Sequence, residues 1–273
     1  MTRERLKGSS VMENVAPPGP PASDRTLLSA KPIPAAERLI FALDVPTVEE
    51  AKSLVTTLGD SVLFYKLGLQ IWMAGGYYEL IEWLLQNHKQ VLVDLKFFDV
   101  PETVRSAVNQ LRNRGVSFAT VHGNDGILKA AVQTKNGVRI LAVTALTSLD
   151  QGDLEALGFQ CQVEELVLSR AKRAIEAGCA GVISSGLEVP RLRRELGSHF
   201  VIVTPGIRPV LNREEKDDQK RTADIEQAFL NGADYIVVGR PIRLAPEPKA
   251  KAQQFQQRIA RLFSAAPAHP PRP

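Results

Sequence analysis

The sequence predicts an α/β protein built as one (β/α)8 TIM barrel. Three observations lead there. Short β-branched apolar runs alternate with longer amphipathic segments between residues 37 and 264, the pattern of parallel strands joined by helices. Eight such pairs fit into about 230 residues, which suits a closed barrel better than an open sheet with two ligand halves. The turn after the first run, Asp44-Val45-Pro46-Thr47, also lacks the glycines that an open dinucleotide-binding sheet needs at that point.

Taken in order, the first strand covers 38–44, and Thr47 caps a helix over 48–58 whose first turn carries Glu49 and Glu50. The run at 62–67 is the second strand, followed by a helix over 77–87. Four apolar residues in five positions, Val91, Leu92, Val93 and Leu95, mark a buried third strand over 90–96, and Pro101 opens the helix over 102–114. Strand four is 117–122 with a helix over 126–135, and strand five is 139–146 with a helix over 164–177 that stops at Ala177-Gly178. Strand six at 181–184 precedes a helix over 189–196. Strand seven at 200–204 precedes a helix over 223–231 that ends at Asn231-Gly232, and strand eight at 235–239 precedes a helix over 249–263. Trp72 and Trp83 fall in helical segments as packing residues.

The domain expected is therefore 37–264. Residues 1–36 contain Pro17, Pro18, Pro20, Pro21, Pro32 and Pro34 among small and polar residues, which predicts a disordered proline-rich arm, and 265–273 reads as a disordered tail. The 34 basic residues are interleaved with 30 acidic ones, so a net charge of +4 does not imply nucleic acid. No run of eighteen apolar residues exists to span a membrane. The N-terminus lacks the apolar segment of a signal peptide, and Cys161 and Cys179 have no metal-ligand spacing; a cytoplasmic protein is expected.

Charged residues interrupt the apolar strands where a barrel places its chemistry, at the C-terminal ends. Asp44 ends the first strand, Lys66 the second, and Asp94 and Lys96 the third, with Asp99 in the following turn. Buried charges are costly unless paired or used. Alternation puts Asp94 and Lys96 on one strand face, and adjacent strands about 4.8 Å apart let the four form a row of alternating sign. A salt bridge closing a strand end is the plainer alternative, but three separate strands ending in inward charges favour a reactive site.

The opposite half of the barrel carries Pro205-Gly206-Ile207-Arg208-Pro209 after strand seven and Gly239-Arg240-Pro241 after strand eight. These are the loops in which such barrels commonly bind phosphate, through backbone N–H groups and a short helix, and Arg240 adds a planar cation. Thr147 and Ser148 leave strand five with hydroxyls suited to amide edges, local capping being the plainer alternative, and the highly polar stretch 211–221 is a candidate lid or else a solvated loop. His122 ends strand four and reads as a core or rim histidine, and the four histidines form no metal cluster.

Together, Phe41-Ala42-Leu43-Asp44, Tyr65-Lys66-Leu67-Gly68, the Asp-x-Lys-x-x-Asp motif from Asp94 to Asp99, Leu146-Thr147-Ser148, Pro205-Gly206-Ile207-Arg208-Pro209 and Val238-Gly239-Arg240 resemble the orotidine 5′-phosphate decarboxylase family, in order from about residue 38 to 263. The resemblance implies decarboxylation of orotidine 5′-phosphate to uridine 5′-phosphate, in de novo pyrimidine biosynthesis and without a cofactor. It implies that Lys96 protonates the ring carbon, that Asp94 faces the departing carboxylate, and that Asp44, Lys66 and Thr103 bind ribose hydroxyls. Thr147 and Ser148 would meet the pyrimidine, while Arg208, Gln219, Gly239 and Arg240 would serve the phosphate end. Asp99 would cross a homodimer interface to share the partner's site. The acid motif also occurs in sugar-phosphate decarboxylases and synthases of the same superfamily, some of which use a divalent metal, so that chemistry is the alternative; a non-catalytic barrel scaffold is another, against which the intact acids and lysines argue. A Schiff-base aldolase needs a lysine of depressed pKa, and carboxylates on either side push the opposite way.

Overall fold

The computed structural model of the chain describes residues 27–134, 137–207 and 223–264. Eight strands close a parallel barrel in sequence order: β1 (Leu39–Ala42), β2 (Phe64–Leu67), β3 (Gln90–Phe97), β4 (Phe118–Val121), β5 (Arg139–Val143), β6 (Gly181–Ile183), β7 (Val201–Thr204) and β8 (Tyr235–Val238), with β8 pairing back to β1. The expected strands are all present, most of them a residue or two shorter, as strand ends commonly are.

The helices are α1 (Val48–Leu58), α2 (Leu69–Met73), α3 (Tyr77–Gln86), α4 (Pro101–Asn109), α5 (Asp125–Val132), α6 (Gln151–Ala156), α7 (Val163–Glu176), α8 (Val189–Leu196), α9 (Ile225–Leu230), α10 (Arg240–Arg243) and α11 (Pro248–Ser264). Thr47 accepts from the Glu50 N–H and caps α1 as its sequence suggests. Three short helices, α2, α6 and α10, escape the periodicity because a helix of four to six residues shows barely more than one turn of pattern. Trp72 on α2 is 47% exposed, so it is not the packing residue expected, whereas Trp83 packs against the core.

Two apolar shells result from the alternation of side chains along each strand. Ile40, Phe64, Leu92, Phe118, Leu141, Val203, Tyr235 and Val237 point inward and fill the barrel. Phe64 stacks on Phe118 at 6.0 Å and meets Tyr235 edge-on at 5.8 Å, which plugs the centre with aromatic surface. Leu39, Phe41, Tyr65, Val91, Val93, Ala119, Val121 and Ile236 point outward beneath the helices. The interior is a packed core, and ligands are confined to its rim.

At the opposite rim the chain differs from the expected arm of residues 1–36. Residues 27–36 lie against the barrel: the Leu27 N–H donates to the Leu230 carbonyl at 3.1 Å, and Ser29 and Lys31 both reach the fully buried carboxylate of Asp234. Arg193 pairs with the same carboxylate at 2.7 Å, and the Ile202 N–H donates to it at 2.9 Å. Arg38 donates to the Asp234 and Lys31 carbonyls. Asp234 is a buried charge that needs partners, and the segment supplies two of them, which composition alone could not reveal.

Candidate active site

The C-terminal rim holds an open cleft of about 280 Å3, room for one small ligand. Asp44, Lys66, Asp94 and Lys96 line one side of it; Thr147, Ser148, Gly206, Gly239 and Arg240 line the other. Between them the floor is apolar, formed by Leu92, Val143, Ile183 and Val237.

The charged side is a continuous row. Ala42 is in register with Lys66, and Lys66 with Leu92, so Asp44 and Asp94 each extend two residues beyond a partner in that layer. Lys66 Nζ lies 3.3 Å from Asp44 Oδ1 and 3.3 Å from Asp94 Oδ2, and Lys96 Nζ lies 3.0 Å from Asp94 Oδ1. Burial alone would lower the Lys66 pKa, but the Asp94 and Asp44 carboxylates outweigh it and hold the ammonium above the ordinary lysine value. Burial alone would likewise raise Asp94, yet Lys66, Lys96 and the Thr120 hydroxyl hold it below the usual carboxylate range. Both groups are therefore charged at neutral pH.

Local backbone geometry makes the row possible. Gly68 follows β2 where a Cβ would lie 3.1 Å from Lys66 Nζ and 3.3 Å from Asp44 Oδ1, so a side chain there would crowd the pair. The Tyr77 hydroxyl donates to the Leu67 carbonyl at 3.0 Å and ties the end of β2 to α3. Lys96 takes a positive φ of +48°, uncommon for a residue with a side chain, within a register irregularity of β3.

Not every expected residue reaches the cleft. Asp99 is exposed and accepts a hydrogen bond from the Val100 N–H at 2.6 Å, and Thr103 is exposed on the first turn of α4. Neither lines the cleft. The expected row of Asp44, Lys66, Asp94 and Lys96 is met within one chain, whereas β3 ends at Phe97 and the turn carries Asp99 outward with Phe98 and Val100, 67% and 63% exposed. Arg208, Gln219 and the stretch 211–221 lie outside the described residues. His122 contacts Arg170 and the Phe98 ring outside the cleft. Among the described residues no three His, Cys, Asp or Glu side chains converge as a metal site requires, and no described helix is long and apolar enough to cross a membrane.

The chain has known relatives. Residues 37–255 match the model of the orotidine 5′-phosphate decarboxylase / HUMPS family. The chain belongs to that family. It is 62% identical to an orotidine 5′-phosphate decarboxylase of Methylococcus capsulatus over 238 residues, 87% of this chain and 98% of the relative. It is 48% identical to one from Xanthomonas axonopodis pv. citri, over 85% of this chain and 96% of the relative. The crystal structure of orotidine 5′-phosphate decarboxylase from Lactobacillus acidophilus superposes with a TM-score of 0.72 at 34% identity, covering 82% of this chain and 99% of that one. The match spans all eight strands, so the charged row and the phosphate-type loops lie inside the matched region.

Thr120 and Tyr77 are the site residues that sequence reasoning missed. A threonine inside a strand carries no signal of its own, and Tyr77 reads as an ordinary amphipathic helix residue.

Proposed function

We propose that this chain decarboxylates orotidine 5′-phosphate to uridine 5′-phosphate, with Lys96 as the proton donor. One observation carries the reading: a lysine paired with a shielded carboxylate stands over an apolar floor, opposite a glycine-arginine rim suited to phosphate. When the bond from the ring carbon to the carboxylate breaks, the electron pair stays on the ring and carbon dioxide leaves. With no electron sink in the substrate ring beyond its own carbonyls, a fixed cation beside that carbon lowers the barrier, and the Lys96 ammonium then delivers its proton. Asp94 facing the substrate carboxylate raises the ground state by roughly 4 kcal/mol at 4 Å and an effective dielectric near 20, relieved on departure; carbanion stabilisation is the larger contribution.

In this reading Asp44 and Lys66, joined at 3.3 Å, bind ribose hydroxyls, Thr147 and Ser148 meet the pyrimidine edge, and Gly239 and Arg240 the phosphate; that all of them line one cleft supports it. Arg208 and Gln219 complete the phosphate end in this reading. The active unit is a two-fold homodimer in the cytoplasm in which Asp99 and Thr103 of one chain enter the site of the other. Their exposure beside two uncovered apolar residues, Phe98 and Val100, supports that arrangement. The names of the relatives at 62% and 48% identity favour the nucleotide over a sugar phosphate.

The test is consumption of orotidine 5′-phosphate, followed by its absorbance, with stoichiometric carbon dioxide release in the presence of a chelator. Lys96→Ala should lower turnover on the order of 10³-fold or more; near-normal turnover in that variant removes the proton-donor role. Mixing Lys96→Ala with Asp99→Ala after reversible dissociation should restore about a quarter of all sites, because random pairing leaves one heterodimer site with neither lesion. A mixture that stays at the mean of the two, with subunit exchange demonstrated, places Asp99 in its own chain's site.

A further inference from the structure

Thr120 is fully buried on β4, on the inward parity of Phe118 and one step closer to the cleft. Its hydroxyl closes a ring of hydrogen bonds. The Lys96 N–H donates to Thr120 Oγ1 at 2.9 Å, and the hydroxyl, with its single proton, donates to Asp94 Oδ1 at 2.9 Å. The same carboxylate oxygen accepts from Lys96 Nζ at 3.0 Å.

The backbone of Lys96 makes this ring necessary. Between the register pairs Val93↔Ala119 and Phe97↔Val121, β3 advances four residues while β4 advances two, so the ladder is interrupted at Lys96. Lys96 takes φ +48°, a conformation that persists only when its surroundings hold it. Its N–H has left the ladder and, near the protein interior, must find another acceptor. Thr120 Oγ1 is that acceptor.

We propose that Thr120 is a positioning residue for the reaction: it holds the left-handed backbone of Lys96 and ties it to Asp94, and so fixes where Lys96 Nζ stands over the reacting carbon. The inference rests on the function proposed above. Valine matches the shape of threonine without the hydroxyl, alanine removes both hydroxyl and methyl, and serine keeps the hydroxyl.

Thr120→Val and Thr120→Ala should lower kcat about tenfold or more, the scale on which a misplaced catalytic group loses rate, while KM stays within about threefold because the substrate-binding groups are untouched. Thr120→Ser should keep kcat within about threefold of the parent. The acid limb of the pH profile should also move to higher pH in the valine chain and not in the serine chain, since the hydroxyl helps to keep Asp94 ionised; Lys66, Lys96, Asp44 beyond Lys66 and the Tyr77 hydroxyl are the other groups around that carboxylate. Unchanged kcat in the valine and alanine chains, serine as impaired as alanine, or a loss confined to KM would each overturn the inference. Should the valine chain not fold, the alanine and serine pair decides. A parent chain that leaves orotidine 5′-phosphate untouched sinks the proposed function; carboxyl NMR then decides on Thr120, with an Asp94 titration raised in alanine and not in serine supporting the ring, and identical titrations overturning it.

Discussion

Asp94→Asn probes the row of charges at its centre, because Asp94 is shared by two lysines. The substitution keeps the shape of the side chain and removes its charge. Lys66 and Asp94 each have side chains only 13% exposed and stand 3.3 Å apart, for which Coulomb's law gives about 5 kcal/mol of gross attraction at an effective dielectric near 20. Lys96 is 36% exposed, so its pairing with Asp94 belongs nearer the surface range of up to about 1 kcal/mol. Removing one partner of a buried pair costs roughly 3–5 kcal/mol, because the other is left uncompensated. Asp44 still faces Lys66, which places the expected loss at the lower end, about 3 kcal/mol. For a barrel of this size that corresponds to a fall in Tm of roughly 6–12 °C.

The pH dependence follows from the depressed pKa of Asp94. Its contribution is present above the ordinary carboxylate value of 3.8 and is lost as pH falls through the lower folded value. Lys66 has a raised pKa, so its contribution is present below 10.5 and disappears only as pH rises beyond that. The stability difference between parent and Asp94→Asn should therefore be flat from about pH 5 to 9 and shrink in strong acid. Urea unfolding across that range measures it. A variant within about 0.5 kcal/mol of the parent at pH 7, or more stable, would show that desolvating three charges outweighs their attraction, as happens when a reactive site is held at the expense of stability.

Other perturbations address other parts of the molecule. Arg240→Ala should impair turnover of the phosphorylated substrate far more than that of the phosphate-free nucleoside if, as proposed, the rim supplies binding energy remote from the ring; equal losses on both would remove its phosphate role. Deleting residues 1–26 should leave Tm and activity unchanged, whereas deleting 1–32 takes Ser29 and Lys31 from buried Asp234 and should cost about 2 kcal/mol, some 4–8 °C in a melting scan; equal Tm values for the two truncations would show that the segment contributes nothing. Burial pushes the Cys179 thiol up to about 12, while Cys161 is half-buried, so a thiol reagent at pH 8 should modify a single cysteine in the native protein and the second only on unfolding. Rapid modification of both would contradict the packing around Cys179.

The barrel was legible because its interior shell is written in strict alternation. Ile40 and Ala42, Phe64 and Lys66, and Leu92 and Asp94 fall on one parity of their strands, and the charges appear where the apolar pattern stops. Residues 27–36 were not legible, because what holds them is a carboxylate some two hundred positions away, and Asp234 reads as an ordinary acid between a helix stop and a strand. Polar long-range pairing leaves no local periodicity to detect.

The active-site row was reached by an argument that is only partly its true cause. Alternation along a regular strand would put Asp94 and Lys96 on one face, and they do meet, at 3.0 Å. Yet the strand between them is not regular: it gains two residues on β4, and Lys96 bends into a left-handed backbone. Spacing of two is compatible with either geometry, and a sequence without its neighbours cannot distinguish them. What distinguishes them is a hydroxyl on the adjacent strand, Thr120, placed to accept the N–H that the interrupted ladder releases. The same bend ends the strand at Phe97 and turns Asp99 outward, so it is exposed instead of lining its own chain's cleft. The Asp-x-Lys-x-x-Asp motif is therefore two structural statements: Asp94 and Lys96 belong to the cleft, and Asp99 to the exposed turn beyond it.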